Sequence, residues 1–385
     1  MNNKDSTSNI VETEEFRIVV EEAQQWTNLF HRYEGWTGGD GIYAIPLSGY
    51  EGPGKADETK TLFVFGDSFI SKVNRETMVR NNHYMVNNTL ALLDGGKPTD
   101  SRIRFIWGKN GDGSRSSVFV PTTPKVRGKK CWYWLQDGFC LSGNVYILPM
   151  LVEKDQSGGE GFRFKATGVS MIKIPVGANG PELQKHTQMD TPLFHLNESR
   201  TLYFGAGIMP QTVEAGTSKP DGYIYIYGRY EKEEIKLAVA RVTVEDFEDF
   251  GRWRFWDGKR WSRDICDAAP LGRGGPELSV TLIESGPLKD KYLMVSMHVE
   301  QELYIRIGES PVGPFSQRIN IYRTKEPDAG KGIYTYNAKL HPNISNPGEW
   351  LISYNVNSIS WHHLIHNADI YRPRFLKVRF ETIQS

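Results

Sequence analysis

Short runs rich in β-branched and aromatic residues, each cut off by Gly, Pro, Asn or Asp, recur along almost the whole chain. Arg104-Phe105-Ile106-Trp107, Gly143-Asn144-Val145-Tyr146-Ile147-Leu148, Gly222-Tyr223-Ile224-Tyr225-Ile226-Tyr227, Lys291-Tyr292-Leu293-Met294-Val295-Ser296-Met297 and Trp350-Leu351-Ile352-Ser353-Tyr354 are examples. Such runs are too brief for stable helices, and their alternation suits strands that bury one face. Helical periodicity is scarce. Its best stretches are Val20 to Phe30 and Asn82 to Leu93. The chain is therefore expected to be all-β.

The strands group into five units of about 50–80 residues with weak internal similarity. The first holds Asp40 and Asp67. The others run from Arg104 to Pro175, Thr191 to Trp261, Pro276 to Arg323 and Gly332 to Phe380. Five units of three or four antiparallel strands fit a five-bladed β-propeller in one domain. A β-sandwich or two stacked β-domains is the alternative, since turn spacing does not separate them. A propeller must close its ring, and Glu15–Val20 is expected to pair with Phe375–Phe380 for this purpose. Residues 15–385 are read as the propeller and the polar residues 1–14 as a flexible tail. The 385 residues suffice for a large core.

Charge narrows the possible partners. Lys+Arg and Asp+Glu are both 46, giving no net charge and no basic block for nucleic acid or an anionic membrane. No run reaches membrane-spanning length. The polar start lacks a secretory apolar segment, so a cytoplasmic location is expected. Three cysteines, Cys131, Cys140 and Cys266, make no disulfide framework. Oligomeric state is not legible.

Two aspartates stand beside glycine at the edges of apolar strands near the N-terminus: Gly38-Gly39-Asp40-Gly41 and Phe65-Gly66-Asp67-Ser68. Cleaving a glycosidic bond takes one carboxylic acid to protonate the leaving oxygen and one carboxylate to activate water or attack the anomeric carbon. Glycine lets the main chain crowd a ligand. The plain alternative is a turn-forming Asp that bonds its own backbone.

Gly39-Asp40-Gly41, Phe65-Gly66-Asp67-Ser68-Phe69 and Glu309-Ser310-Pro311-Val312-Gly313-Pro314-Phe315-Ser316 resemble five-bladed propeller glycoside hydrolases, the group of arabinanases, xylosidases and fructan-cleaving enzymes. Together with Tyr336-Asn337-Ala338-Lys339-Leu340-His341-Pro342, Ile352-Ser353-Tyr354-Asn355 and Tyr371-Arg372-Pro373-Arg374-Phe375, the chain looks similar to an uncharacterised-domain family related to bacterial endo-D-arabinanases. The resemblance covers roughly residues 36 to 378. It implies that catalytic carboxylates come from the inner strands of the first blades, hence Asp40 and Asp67. Many arabinanase-type propellers add a third-blade Glu as acid. Here that unit offers only Glu198, in a turn.

Other candidates complete the site. Asp137, after Trp132-Tyr133-Trp134, is expected to orient substrate or tune the acid, with a turn cap as its alternative. Glu277, after Gly274-Gly275-Pro276, leads into an inner strand, whereas Glu300 suits an outer position. Trp36 and Trp134 precede Asp40 and Asp137 and suit sugar-stacking floors, though packing serves equally. His83 and Asn337 are expected to line the pocket; His298 and His341 are read either as contacting sugar hydroxyls or, more commonly for such residues, as satisfied packing histidines. Arg372 and Arg374 are read either as holding a polyhydroxylated group or as surface ion pairs. His362, His363 and His366 lack the Glu of a zinc signature, so no metal is assigned. No phosphate-binding loop, dinucleotide fingerprint or serine nucleophile elbow is present, so no cofactor is implied. The glycines Gly158-Gly159-Glu160-Gly161 read as a loop. The sequence thus predicts a glycoside hydrolase acting on a furanoside-containing or related oligosaccharide. A glycoside phosphorylase and a non-catalytic carbohydrate-binding propeller are its rivals.

Overall fold

The computed structural model describes residues 9–155, 163–197, 200–231, 234–299 and 301–383. Glu198, Glu300 and the Gly158–Gly161 loop lie outside them. The described chain is nearly all β, and α-helix is confined to Gln24–Leu29 and Trp361–His366. Every strand pair named below is antiparallel, so each can be joined by a short turn.

Seven sheets form among the described residues; one is the two-stranded ribbon of Gly108–Lys109 with Arg115–Ser116, and the others fall into successive groups along the sequence. Tyr43–Pro46, Lys60–Phe65, Thr89–Asp94 and Ile103–Ile106 form the first, with Glu34–Gly39, Ser68–Val73 and Arg80–Val86 as a three-stranded companion. The second is built on Phe164–Gly177 and includes Cys131–Trp134 and Gly138–Leu141. Arg200–Gln211, Tyr223–Glu231 and Lys236–Thr243 are the centre of the third. Leu278–Leu282, Tyr292–Ser296, Glu302–Gly308 and Ile319–Arg323 make the fourth. The last orders Ile333–Leu340, Trp350–Ser358, Pro373–Thr382, Phe16–Glu22 and Asn9–Glu12.

Shared cores join these sheets in turn. Ile45 and Leu62 of the first pack with Val145 and Ile172 of the second. Val152 and Val169 meet Phe204 and Ile226 of the third. Ala206 and Val239 meet Leu278 and Met294 of the fourth. Val295 and Ile305 meet Ile352 and Val378 of the last, and Phe375 of the last meets Phe63 and Phe65 of the first. The apolar contacts therefore run in a cycle.

The expected pairing of the chain's two ends is present. Phe16–Glu22 pairs with Leu376–Thr382, Ile18 opposite Phe380 and Val20 opposite Val378. Within the stretch read as a tail, Asn9–Glu12 pairs with Arg17–Val20.

Both expected helices need correction. Val20–Glu22 is strand, leaving Gln24–Leu29 helical. Asn82–Leu93 is two strands, Arg80–Val86 and Thr89–Asp94. Leu90 to Leu93 are buried on both faces, and a short run buried all round has no period to separate strand from helix. Between the strands, buried Asn88 donates to the Phe119 and Tyr133 carbonyls and accepts from the Phe119 N–H, bonds that fix a turn.

Ile18 is fully buried and Ile10 is 52% exposed. Ile18→Ala is expected to cost about 2–5 kcal/mol and Ile10→Ala less than about 0.5 kcal/mol, read by urea unfolding. Equal losses would show that the pairing of the two ends does not govern stability.

Candidate functional site

Asp40 follows the strand Glu34–Gly39, and Asp67 lies between Lys60–Phe65 and Ser68–Val73. Their turns are bonded to each other. The Asp40 N–H donates to the Asp67 carbonyl at 3.1 Å, and the Gly66 N–H donates to the Asp40 carbonyl at 2.8 Å. A Cβ on Gly66 would stand 2.7 Å from Asp40 Oδ1, so only glycine admits the carboxyl here. Gly41 has φ +54°, and a Cβ there would lie 3.0 Å from Glu277 Oε1. The glycines flanking these acids thus bring Glu277 and both aspartates into one neighbourhood.

Two tyrosines hold the Asp40 carboxyl. Tyr336 Oη donates to Oδ2 at 2.6 Å and Tyr371 Oη to the same oxygen at 3.1 Å. Asn357 in turn donates to Tyr336 Oη at 3.1 Å. Burial raises Asp40 to about 6, and the two phenol hydrogen bonds limit the rise. Asp67 Oδ1 accepts from Asn87 Nδ2 at 3.0 Å and from Trp134 Nε1 at 2.9 Å. Burial first and the Asp40 charge second raise Asp67 to about 7.

Asp137 and Glu277 stand close enough for their charges to act on each other. The Gly138 N–H donates to Asp137 Oδ1 at 2.9 Å and the Ile208 N–H to Oδ2 at 2.7 Å, while burial raises its carboxyl to about 7. Burial, followed by the Asp40 charge, pushes Glu277 well above the carboxylate range. Its Oε2 lies 2.9 Å from Lys339 Nζ, an ion pair by distance in which neither atom completes a well-angled hydrogen bond. Burial pulls Lys339 down in turn, so desolvation opposes the charged form of both partners. Lys339, Asp137 and His341 line a cavity of about 70 Å³ that Tyr43, Glu51 and Gly216 also line. Asp40 and Asp67 are not among its walls.

Among the candidates, Trp134 bonds Asp67, Glu277 lies within reach of the Asp40 and Asp137 charges, and His341 shares a cavity with Asp137, while the remaining ones stand apart from these acids. Trp36 is fully buried, stacked on Phe105 at 4.6 Å and tilted against Phe65 at 5.0 Å. It is core and offers no face to a sugar. Arg372 is also fully buried, donating to the Thr37 carbonyl at 3.0 Å, the Arg32 carbonyl at 2.5 Å and Asp369 Oδ1 at 3.1 Å. It braces the backbone with Arg80, which donates to the Thr37, Leu364, Ala368 and Ile370 carbonyls. Arg374 pairs with Glu326 at 3.2 Å, its ion-pair reading.

His83 is exposed, its ring against Trp361, and does not reach Asp67. His298 lies beyond the strand Tyr292–Ser296 on exposed chain. Asn337 is buried at a bulge with φ +57°, and His341 is buried with Nε2 2.7 Å from Ser353 Oγ. Burial and the Lys339 charge lower His341 to about 3, so it stays neutral. Among the described residues no cluster of three His, Cys, Asp or Glu side chains is arranged to hold a metal. Tyr336, Tyr371, Asn87 and Lys339 are the residues that sequence reasoning missed. The two tyrosines open motifs that were singled out, yet nothing local marks a phenol as a carboxyl partner.

The model of a family described as a domain of unknown function, DUF5005, matches residues 23–380. A search of the curated proteins gives no match. A candidate hydrolase from Bacteroides ovatus aligns over 98% of this chain and 95% of its own, at 19% identity and a TM-score of 0.71. That likeness shows a common fold. The α-L-arabinofuranosidase PaAbf62A from Podospora anserina, in complex with cellotriose, covers 90% of this chain and 92% of its own at 9% identity and a TM-score of 0.44. A family 43 arabinoxylan arabinofuranohydrolase from Bacillus subtilis, in complex with cellotetraose, covers 90% and 66% at 12% identity and a TM-score of 0.42. Likenesses that weak carry no inference about activity.

Because Asp67 is raised to about 7 from an ordinary 3.8, its ionisation costs folding energy that appears as pH climbs through that interval. Asp67→Asn escapes this cost. The variant is expected to match the wild type at pH 4 and to exceed it by about 2 kcal/mol at pH 8, after a discount for partial exposure. Urea unfolding at the two pH values measures the gap, and a gap independent of pH would show that Asp67 ionises as an ordinary carboxyl.

Proposed function

The chain belongs to the DUF5005 family, and we propose that it is a glycoside hydrolase built as a single-domain, five-bladed β-propeller. The cyclic order of shared cores and the pairing of Phe16–Glu22 with the last strand support the ring. One observation carries the activity: two half-buried carboxyls, raised to about 6 and about 7 and coupled by charge, meet at adjoining turns. A pair of that kind holds one proton between its members near neutrality, and its apparent pKa values belong to the pair.

The roles follow from the donors. Asp40 accepts two phenol hydrogen bonds and is the member kept ionised, as base or nucleophile. Asp67 feels the Asp40 charge, keeps its proton to higher pH and protonates the leaving oxygen. Asp137 and Glu277 assist as neighbouring acids, Glu277 feeling the charges of both Asp40 and Asp137. The substrate is a furanoside-containing or related oligosaccharide.

Asp40→Asn and Asp67→Asn are each expected to lower kcat by about 100-fold or more, with the fold retained by circular dichroism. The assay uses aryl furanosides, aryl pyranosides and oligosaccharides, with and without phosphate, and NMR of the product anomer. Unchanged turnover in either variant removes that residue, and turnover that requires phosphate replaces hydrolysis with phosphorolysis. Tyr336→Phe removes a bond that favours ionised Asp40. It should therefore move the acidic limb of the kcat/KM profile up by about one pH unit, and an unmoved limb would take Asp40 out of the base role.

A further inference from the structure

A second cavity, about 180 Å³, lies beside the carboxyl pair. Tyr84, Asn87, Arg115, Ser116, Ser117 and Trp132 are among its walls. Asn87 makes it continuous with the reacting groups, because the same side chain donates to Asp67 Oδ1 at 3.0 Å. Trp132 stands edge-on to Trp134 at 6.4 Å, and Trp134 donates to that same oxygen. The volume is more than ten times what a single water occupies. The strand Arg80–Val86 sends alternate side chains to opposite sides. His83 goes to Trp361, and Tyr84, 48% exposed, goes to the rim of this cavity.

The lining reads as a sugar site. Aromatic rings offer stacking surface, and hydroxyls and amides offer hydrogen bonds. Trp132 Nε1 is a shielded donor without a partner. Among the described lining residues Arg115 is the one charged group, so no carboxylate is present to attract a cationic amino sugar. We propose that this cavity is a subsite for an uncharged sugar unit next to the bond being cleaved, with Tyr84 and Trp132 determining its affinity. The proposal rests on the hydrolase reading for the word "cleaved", while binding there can be measured without turnover.

The test titrates neutral arabino-, xylo- and cello-oligosaccharides of increasing length into wild type, Tyr84→Ala, Trp132→Phe and Ser116→Ala by calorimetry, and follows hydrolysis in parallel. Wild type is expected to gain affinity at one added unit. Tyr84→Ala and Trp132→Phe should lose that gain, with Kd and KM up about tenfold and kcat and the pH profile retained. Trp132→Phe keeps an aromatic ring while removing the Nε1 donor, which guards against a folding defect. Turnover with an undiminished length dependence in the variants overturns the subsite and leaves the hydrolase reading standing. Length-dependent binding lost in the variants, with no turnover by wild type, supports the subsite and overturns the hydrolase reading. Absence of any glycan binding overturns the subsite.

Discussion

The pairing of Phe16–Glu22 with Leu376–Thr382 is the constraint on which the rest depends. It fixes the last sheet against the first and brings Tyr371 to Asp40, 331 residues away in sequence. Buried Arg80 and Arg372 reinforce the same junction, since both donate to the Thr37 carbonyl. Thr37 belongs to the strand that ends one residue before Asp40. Closing the chain and holding the Asp40 carboxyl are therefore one structural event.

What that closure sustains is costly. Asp40, Asp67, Asp137 and Glu277 are all raised, with burial as the leading cause in each. Tyr371 and Asn337 hold positive φ values of 72° and 57°, a region side chains other than glycine rarely adopt. Costs of this kind persist where the surroundings over-determine them, and they concentrate at working sites. Here the surroundings are the arginine braces, the backbone hydrogen bonds between the two aspartate turns, and the cores on either side. The arrangement gives up folding energy to keep carboxyls near neutrality able to exchange a proton.

Local chemistry was legible in the sequence and distance was not. Strand type and the Gly-Asp turns show because alternation and glycine act within a few residues. The pairing of the chain's ends was readable as well, since two apolar strands at the ends of a repeating pattern leave few other partners. Leu90–Leu93 misled because burial on both faces erases the strand period. Trp36 misled because an indole beside a site and an indole in a core look alike until neighbours such as Phe105 are known. Tyr336 and Tyr371 were invisible as partners because their target lies some three hundred positions away. At His83 the error was one residue: the strand turned Tyr84 to the cavity instead.

The closing strands also set an order of events. Phe16–Glu22 is made early, and its partner edge stays bare until Pro373–Thr382 has emerged from the ribosome. The carboxyls of Asp40 and Asp67 are made early, while the two phenols that steady Asp40 follow much later, Tyr336 on Ile333–Leu340 and Tyr371 just ahead of the final strand. A chain clipped between the two tyrosines would keep both acids and lose one of the two donors that hold Asp40. The setting of the Asp40 carboxyl thus reports whether the closing strand is in place.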